Sequence, residues 1–249
     1  VNIPNPNANP GCDCGQPDFV AVAELLGDRS RATLLLELLG GRALPASELA
    51  RVCRITPQTV SSHLTKLTEG GLLEMERCGR HRYYRLASPE VAQLLETMSI
   101  VAPRKPVTSL RQSDDAKRLR LARTCYDHLA GRAGVALADR MLEMGWVAAT
   151  DERQFELTEI GIGQLAAFGL DIEGMKRSKR RIVRACLDWS ERRHHVAGAV
   201  GAALTDKLFE LNWIRRYPAG RAVALTPEGA EGLKRHFGLD MGTGIRGEK

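Results

Sequence analysis

Three ligand-type side chains recur in the same order in the second half of this chain: Cys125, Asp127 and His128, then Cys186, Asp188 and His195. Thiolate and imidazole suit soft metal ions and metalloids, and a carboxylate is a ligand-type side chain as well. Two sets around a pseudo-two-fold axis would bind a soft metal or metalloid ion. The plainer alternative makes each Cys a small core residue at helical spacing, each Asp a cap or the partner of an Arg, and each His half-buried. A third reading seats an organic ligand between two lobes, flanked by Trp146, Trp189 and Trp213. Cys12 and Cys14 form a separate Cys-x-Cys pair, able to chelate a soft metal or to form a disulfide with a partner thiol. Cys78 lies between Arg77 and Arg80, where oxidation would disturb an anion-binding surface.

A second group of residues suits a different chemistry. Thr56 is a good N-cap and Pro57 suits the first helical position, so a helix is predicted to start there. Val60, Leu64 and Leu67 fall on one face of it at i, i+4 and i+7. The opposite face then carries Gln58, Thr59, Ser61, Ser62, Thr65 and Lys66, which are donors and acceptors of little bulk. Before it lies a short helix near residues 45–53 and a tight turn at Arg54-Ile55. After it, Gly70-Gly71 ends the helix, Leu72 to Arg77 reads as a strand, Cys78-Gly79-Arg80 as a turn, and His81 to Leu86 as the return strand. The hairpin is basic, with Arg77, Arg80, His81, Arg82 and Arg85. Helix, tight turn, capped helix and two-stranded wing is the layout of a winged helix-turn-helix. Its second helix presents side chains to base edges in the major groove, and its wing reaches the backbone or minor groove.

These segments must be positioned by a real core. Hydrophobic residues make up 43% of the 249, whereas aromatics are only 5%, so helices rich in Ala and Leu are expected to dominate. Net charge is +6 with a pI of about 9.1, a balance that attracts polyanions. Six cysteines in a chain of this length read as reduced thiols rather than a disulfide framework. No stretch is long and apolar enough to predict a membrane span, and residues 1–10 lack a signal-peptide pattern, so a cytoplasmic location is expected.

Apolar residues at three- and four-residue steps predict helices from Phe19 onward, with Ser30 as a candidate cap for the second. A further helix is expected over 89–99. The predicted organisation is a flexible tail at 1–17, a winged helix-turn-helix over 18–100, a Pro- and Ser-bearing linker at 101–115, and a duplicated domain over 116–249. Its repeats span about 116–175 and 176–241. Besides the Cys/Asp/His sets, Gly134, Asp139 and Trp146 match Gly201, Asp206 and Trp213 at an offset of 67. Each repeat is expected to run helix, helix, short hairpin after Trp, and Thr-capped helix. The predicted class is therefore mainly α with small β-hairpin wings, the C-terminal half being two winged-helix-like lobes that sense a signal or support a dimer. The basic run Lys176 to Arg181 joins the repeats and reads as a solvated helix start or as a contact to flanking DNA.

Residues 20–98 resemble the arsenic-repressor (ArsR/SmtB) family of winged-helix regulators, through Glu48-Leu49-Ala50-Arg51-Val52-Cys53-Arg54-Ile55-Thr56-Pro57-Gln58-Thr59-Val60-Ser61-Ser62-His63-Leu64-Thr65-Lys66-Leu67, Gly70-Gly71-Leu72-Leu73 and the wing Arg80-His81-Arg82-Tyr83-Tyr84-Arg85-Leu86. The resemblance implies a homodimer joined by the first and last helices of the domain, a double-stranded operator with inverted repeats, and repression relieved by an inducer. The family's thiolate sensor would fall at Leu44-Pro45-Ala46-Ser47, which has no Cys, and its other metal site on the helix from Pro89, which has no His. Cys53 falls where an apolar core residue is normal. The inducer is left open among a metal or metalloid ion, a redox signal and a small molecule. The competing class is a thiol-dependent enzyme using the duplicated Cys/Asp/His sets, but no glycine-rich phosphate loop, nucleophile elbow or zinc-protease helix accompanies them.

Overall fold

Caps and leucines organise the first part of the chain. The computed structural model describes residues 16–104, 106–151 and 154–241. The chain divides into two units, Val1–Glu96 and Thr97–Lys249. In the first, α1 (Phe19–Leu26) and α2 (Arg29–Leu38) are separated by Asp28, whose carboxylate accepts from the Arg31 N–H and caps α2. The cap is thus Asp28, not Ser30, because Asp28 holds the extended backbone an N-cap requires. A two-residue β1 (Leu44–Pro45) leads into α3 (Ala46–Cys53), and Arg54 adopts the left-handed conformation that turns the chain into α4 (Pro57–Glu69). The antiparallel pair β2 (Leu73–Cys78) and β3 (His81–Leu86) follows, with β1 added on the free side of β3.

Leu34, Leu35, Leu38, Leu49, Val60, Leu64 and Leu67 are completely buried and form the centre of this unit. Each such side chain contributes about 1.5–3 kcal/mol on leaving water. The helix α5 (Pro89–Val101) carries the unit boundary within it, and buries Val91, Ala92 and Leu95.

The second unit begins with α6 (Leu110–Leu121), so the expected linker at 101–115 is shorter than its Pro and Ser residues suggest: Ser109 caps this helix by accepting from the Gln112 N–H. Then one order of elements runs twice. The hairpin β4 (Arg123–Cys125) and β5 (His128–Ala130), α7 (Gly131–Glu143), the hairpin β6 (Val147–Asp151) and β7 (Gln154–Leu157) and α8 (Glu159–Ala167) make the first pass. After α9 (Ile172–Arg177), the hairpin β8 (Arg184–Leu187) and β9 (His194–Ala197), α10 (Gly198–Glu210), the hairpin β10 (Ile214–Arg216) and β11 (Val223–Leu225) and α11 (Pro227–Phe237) make the second. Where two successive helices were expected, a hairpin lies between them: β4 and β5 separate α6 from α7, and β8 and β9 separate α9 from α10.

The reason lies at the first hairpin turn. Tyr126 sits at a φ of 61°, the positive value that glycine normally supplies at the first turn position of a type II′ hairpin. With no Gly or Asn there, the residue that usually marks such a turn is missing, and Asp127 alone is a weak signal.

The repeats interlock: α7 packs on β9, α10 packs on β5, and β5 meets β9. Gly134 and Gly201 let each helix lie close against the end of its own hairpin. A Cβ on Gly134 would stand 2.4 Å from the Leu129 carbonyl oxygen, and one on Gly201 2.5 Å from that of Val196. Trp146 and Trp213 are largely buried, with Trp146 against Phe237 and Trp213 against Phe168, so these tryptophans fill core rather than flank an organic ligand. Among the described residues no helix is long and apolar enough to cross a membrane.

Candidate nucleic-acid interface and a buried cysteine–histidine centre

Burial of Val60, Leu64 and Leu67 decides which way α4 faces. Thr56, Gln58, Thr59, Ser61, Ser62, Thr65 and Lys66 are all exposed. Thr56 caps the helix, its Oγ1 accepting from the Thr59 N–H at 3.3 Å, and lies 2.7 Å from the Thr59 hydroxyl. The Thr65 hydroxyl donates to the Ser61 carbonyl. Gln58, Ser61, Ser62 and Lys66 thus form a small polar surface at the N-terminal two-thirds of α4, the region a recognition helix points at base edges.

The wing carries Arg77, Arg80, His81 and Arg82, all exposed. Arg77 and Arg82 are direct cross-strand partners, and His81 faces Cys78. Two like charges opposite one another destabilise a bare hairpin and become favourable when a polyanion lies across them. Arg85 differs: its guanidinium donates to Glu74 at 3.0 and 3.1 Å, so this wing cation is already engaged. Cys53 is half-buried, and burial together with Glu37 pushes its thiol up to about 11, as suits a packing residue.

The second site lies within the C-terminal unit. Cys125 pairs directly across its hairpin with His128, and Cys186 across the other with His195. Because the hairpins meet at β5 and β9, one ligand atom from each of the four residues falls within 4.8 Å of the other three. All four are enclosed, at 2%, 3%, 4% and 1% exposure respectively. The two Sγ atoms stand 3.9 Å apart, and the imidazole centroids 5.0 Å apart. Nε2 of His128 and both ring nitrogens of His195 are buried with no hydrogen-bond partner. The Cys125 thiol holds Cys186 well below the ordinary thiol value, against burial and with help from both imidazoles. Burial disfavours protonated His128, yet Asp127 and Cys186 keep its pKa above the usual value; for His195 burial prevails and the pKa falls.

The two aspartates of the duplicated sets stand behind the imidazoles, outside this group of four. Asp127 Oδ1 is 3.1 Å from His128 Nδ1, and its other oxygen meets Arg180 at 2.6 Å. Asp188 Oδ2 is 3.6 Å from His195 Nδ1 and accepts from Arg123 at 2.9 Å and from the Gly131 N–H at 2.6 Å; its Oδ1 accepts from Ser190 and Glu191. Burial opposes the charge on Asp188, but Arg123 and these donors outweigh it and hold the carboxyl well below the usual range. The carboxylates cannot join the ligand set, since each is turned toward its arginine.

Arg180, from the run joining the repeats, is therefore part of this arrangement. Arg123 was not legible as a functional residue, although Arg123 and Arg184 repeat at the same 61-residue offset as the cysteines and could have marked it. Cys12 and Cys14 lie outside the described residues.

Comparison with known proteins identifies a helix-turn-helix in the first part of the chain. A family model described as "Helix-turn-helix domain" matches residues 26–76. The HTH-type transcriptional regulator YdfF of Bacillus subtilis is 43% identical over 225 residues, covering 90% of this chain and 99% of that protein. The arsenic resistance transcriptional regulator ArsR1 of Pseudomonas putida is 35% identical over 77 residues, 31% of this chain and 59% of that one. Among solved structures, the homodimeric winged helix-turn-helix fragment of Mb0332 from Mycobacterium bovis is 29% identical, covers 35% of this chain and 87% of its own, and superposes with a TM-score of 0.31. With a relative matched at this identity along nearly its whole length, the chain belongs to the HTH-type transcriptional regulators and carries a DNA-binding winged helix-turn-helix of the ArsR type.

Proposed function

We propose that this regulator is a homodimeric repressor that reads an inverted-repeat operator through α4 of each protomer and releases it when its C-terminal unit receives a signal. The observation that carries the reading is the exposed polar face of α4 set against its three fully buried apolar residues. Gln58 and Ser62 offer base-edge contacts, while Arg77, Arg80 and Arg82 offer phosphate contacts. A second copy is favoured by α1, which buries none of its eight residues and leaves Phe19 and Val20 at 77% and 63% exposure among the described residues. Sensing is assigned to the C-terminal unit because the start of α3 has no cysteine and α5 no histidine.

Gel-shift titration on the DNA upstream of the protein's own gene tests the reading. Wild type should bind a palindrome with strong salt dependence, and Gln58→Ala or Ser62→Ala should change the preferred operator sequence. Binding that ignores these changes in sequence preference would refute the groove assignment.

A further inference from the structure

The geometry points to a metal site: Cys125, His128, Cys186 and His195 hold one zinc-class divalent ion per chain in a closed tetrahedral centre that fastens the two C-terminal repeats together.

Four observations carry this. Each hairpin contributes one thiol and one imidazole as a direct cross-strand pair, which is the shortest way for two strands to offer two ligands on one face. Two thiolates each about 2.3 Å from a tetrahedral zinc lie about 3.8 Å apart, and the observed separation is 3.9 Å. Buried ring nitrogens without partners are costly, and a single cation among them satisfies His128 Nε2, His195 Nε2 and both sulfurs together. A Cys125–Cys186 disulfide would leave both imidazoles unsatisfied. Finally, Asp127 and Asp188 face the Nδ1 side of the two imidazoles, the arrangement that directs Nε2 at a metal.

Charge selects the class. Two thiolates and two neutral imidazoles around a divalent ion sum to zero, as an enclosed site requires, whereas a monovalent soft ion leaves a buried negative charge. Four protein ligands leave no open position, so the centre binds and braces and does not catalyse. With one Cys–His pair from each repeat, losing the ion removes a crosslink between them.

The test uses the full-length chain with Cys12→Ser and Cys14→Ser, purified anaerobically without chelator, so that the tail thiols cannot contribute. Elemental analysis should find about one zinc per chain, falling below about a tenth in Cys186→Ser. Chelated protein refilled with cobalt should give the visible bands of a tetrahedral ion with thiolate-to-cobalt charge transfer. Cys186→Asp guards against simple misfolding: it keeps an anionic ligand and the charge balance, so it should keep the ion while weakening the charge-transfer band by removing one thiolate. A folded parent protein with less than about a tenth of a metal per chain and no cobalt spectrum would overturn the proposal. So would stoichiometric copper in place of zinc, a Cys125–Cys186 disulfide in the anaerobic preparation, or a folded Cys186→Ser that retains its metal. Operator binding is a separate readout, so failure here leaves the α4 assignment to its own test.

Discussion

The two units place their polar chemistry in opposite environments. On α4 and the wing, Gln58, Ser62, Arg77 and Arg82 stand in water, and the helix beneath them is seated by the buried Val60, Leu64 and Leu67. In the C-terminal unit, Cys125, His128, Cys186, His195, Asp188 and Arg123 are among the most enclosed residues. An exposed polar face pays no desolvation until a large partner arrives, so it suits a macromolecule read by shape and hydrogen bonds. An enclosed polar cluster must be satisfied from within, which suits a small ion and a surrounding network of charges.

The comparison breaks most sharply on metal removal. A structural ion stabilises the fold that holds it, so chelation should lower the melting temperature of the C-terminal unit, which keeps its own apolar core, and leave that of the N-terminal unit unchanged. Calorimetry with and without chelator checks this. Next, Arg123→Ala strands the buried Asp188 and should cost about 3–5 kcal/mol in urea denaturation, while Arg85→Ala, at an exposed pair with Glu74, should cost less than about 1 kcal/mol. Equal costs would mean that the two arginines do not differ as their surroundings imply.

Asp127→Asn should weaken metal affinity about 10–100-fold while keeping one ion per chain, measured by competition with a chromophoric chelator. On the exposed side, Arg80→Ala with Arg82→Ala should weaken binding to any DNA sequence and flatten the log-log salt slope by about 0.9 for each phosphate that is no longer neutralised. The smallest effect is chemical: with its thiol pushed up to about 11, Cys53 should alkylate far more slowly at pH 8 than exposed Cys78, as read by peptide mass spectrometry.

What could be read in advance followed the same division. The winged domain was legible because its signals are local: Thr56-Pro57 starts a helix, the period of Val60, Leu64 and Leu67 orients it, and Cys78-Gly79-Arg80 turns the wing. The duplication was legible too, as was the recurrence of Cys and His. The hairpins that present them were not: Tyr126 in the first turn and Arg192 in the second hold positive φ values normally marked by glycine. One clue was available: the repeat offset rises from 61 at the cysteines to 67 at the histidines, and six extra residues between Cys186 and His195 fit a loop, not a helix.

The sequence by itself determined the exposed polar face of α4 and the existence of two copies of a Cys/Asp/His set, since helix period and repetition are properties of the chain order. Only the tertiary structure decided that Cys125, His128, Cys186 and His195 converge while Asp127 and Asp188 turn to Arg180 and Arg123. That choice depends on two hairpins packing face to face, and residues about 60 positions apart acquire a common centre through such packing, which no local pattern encodes.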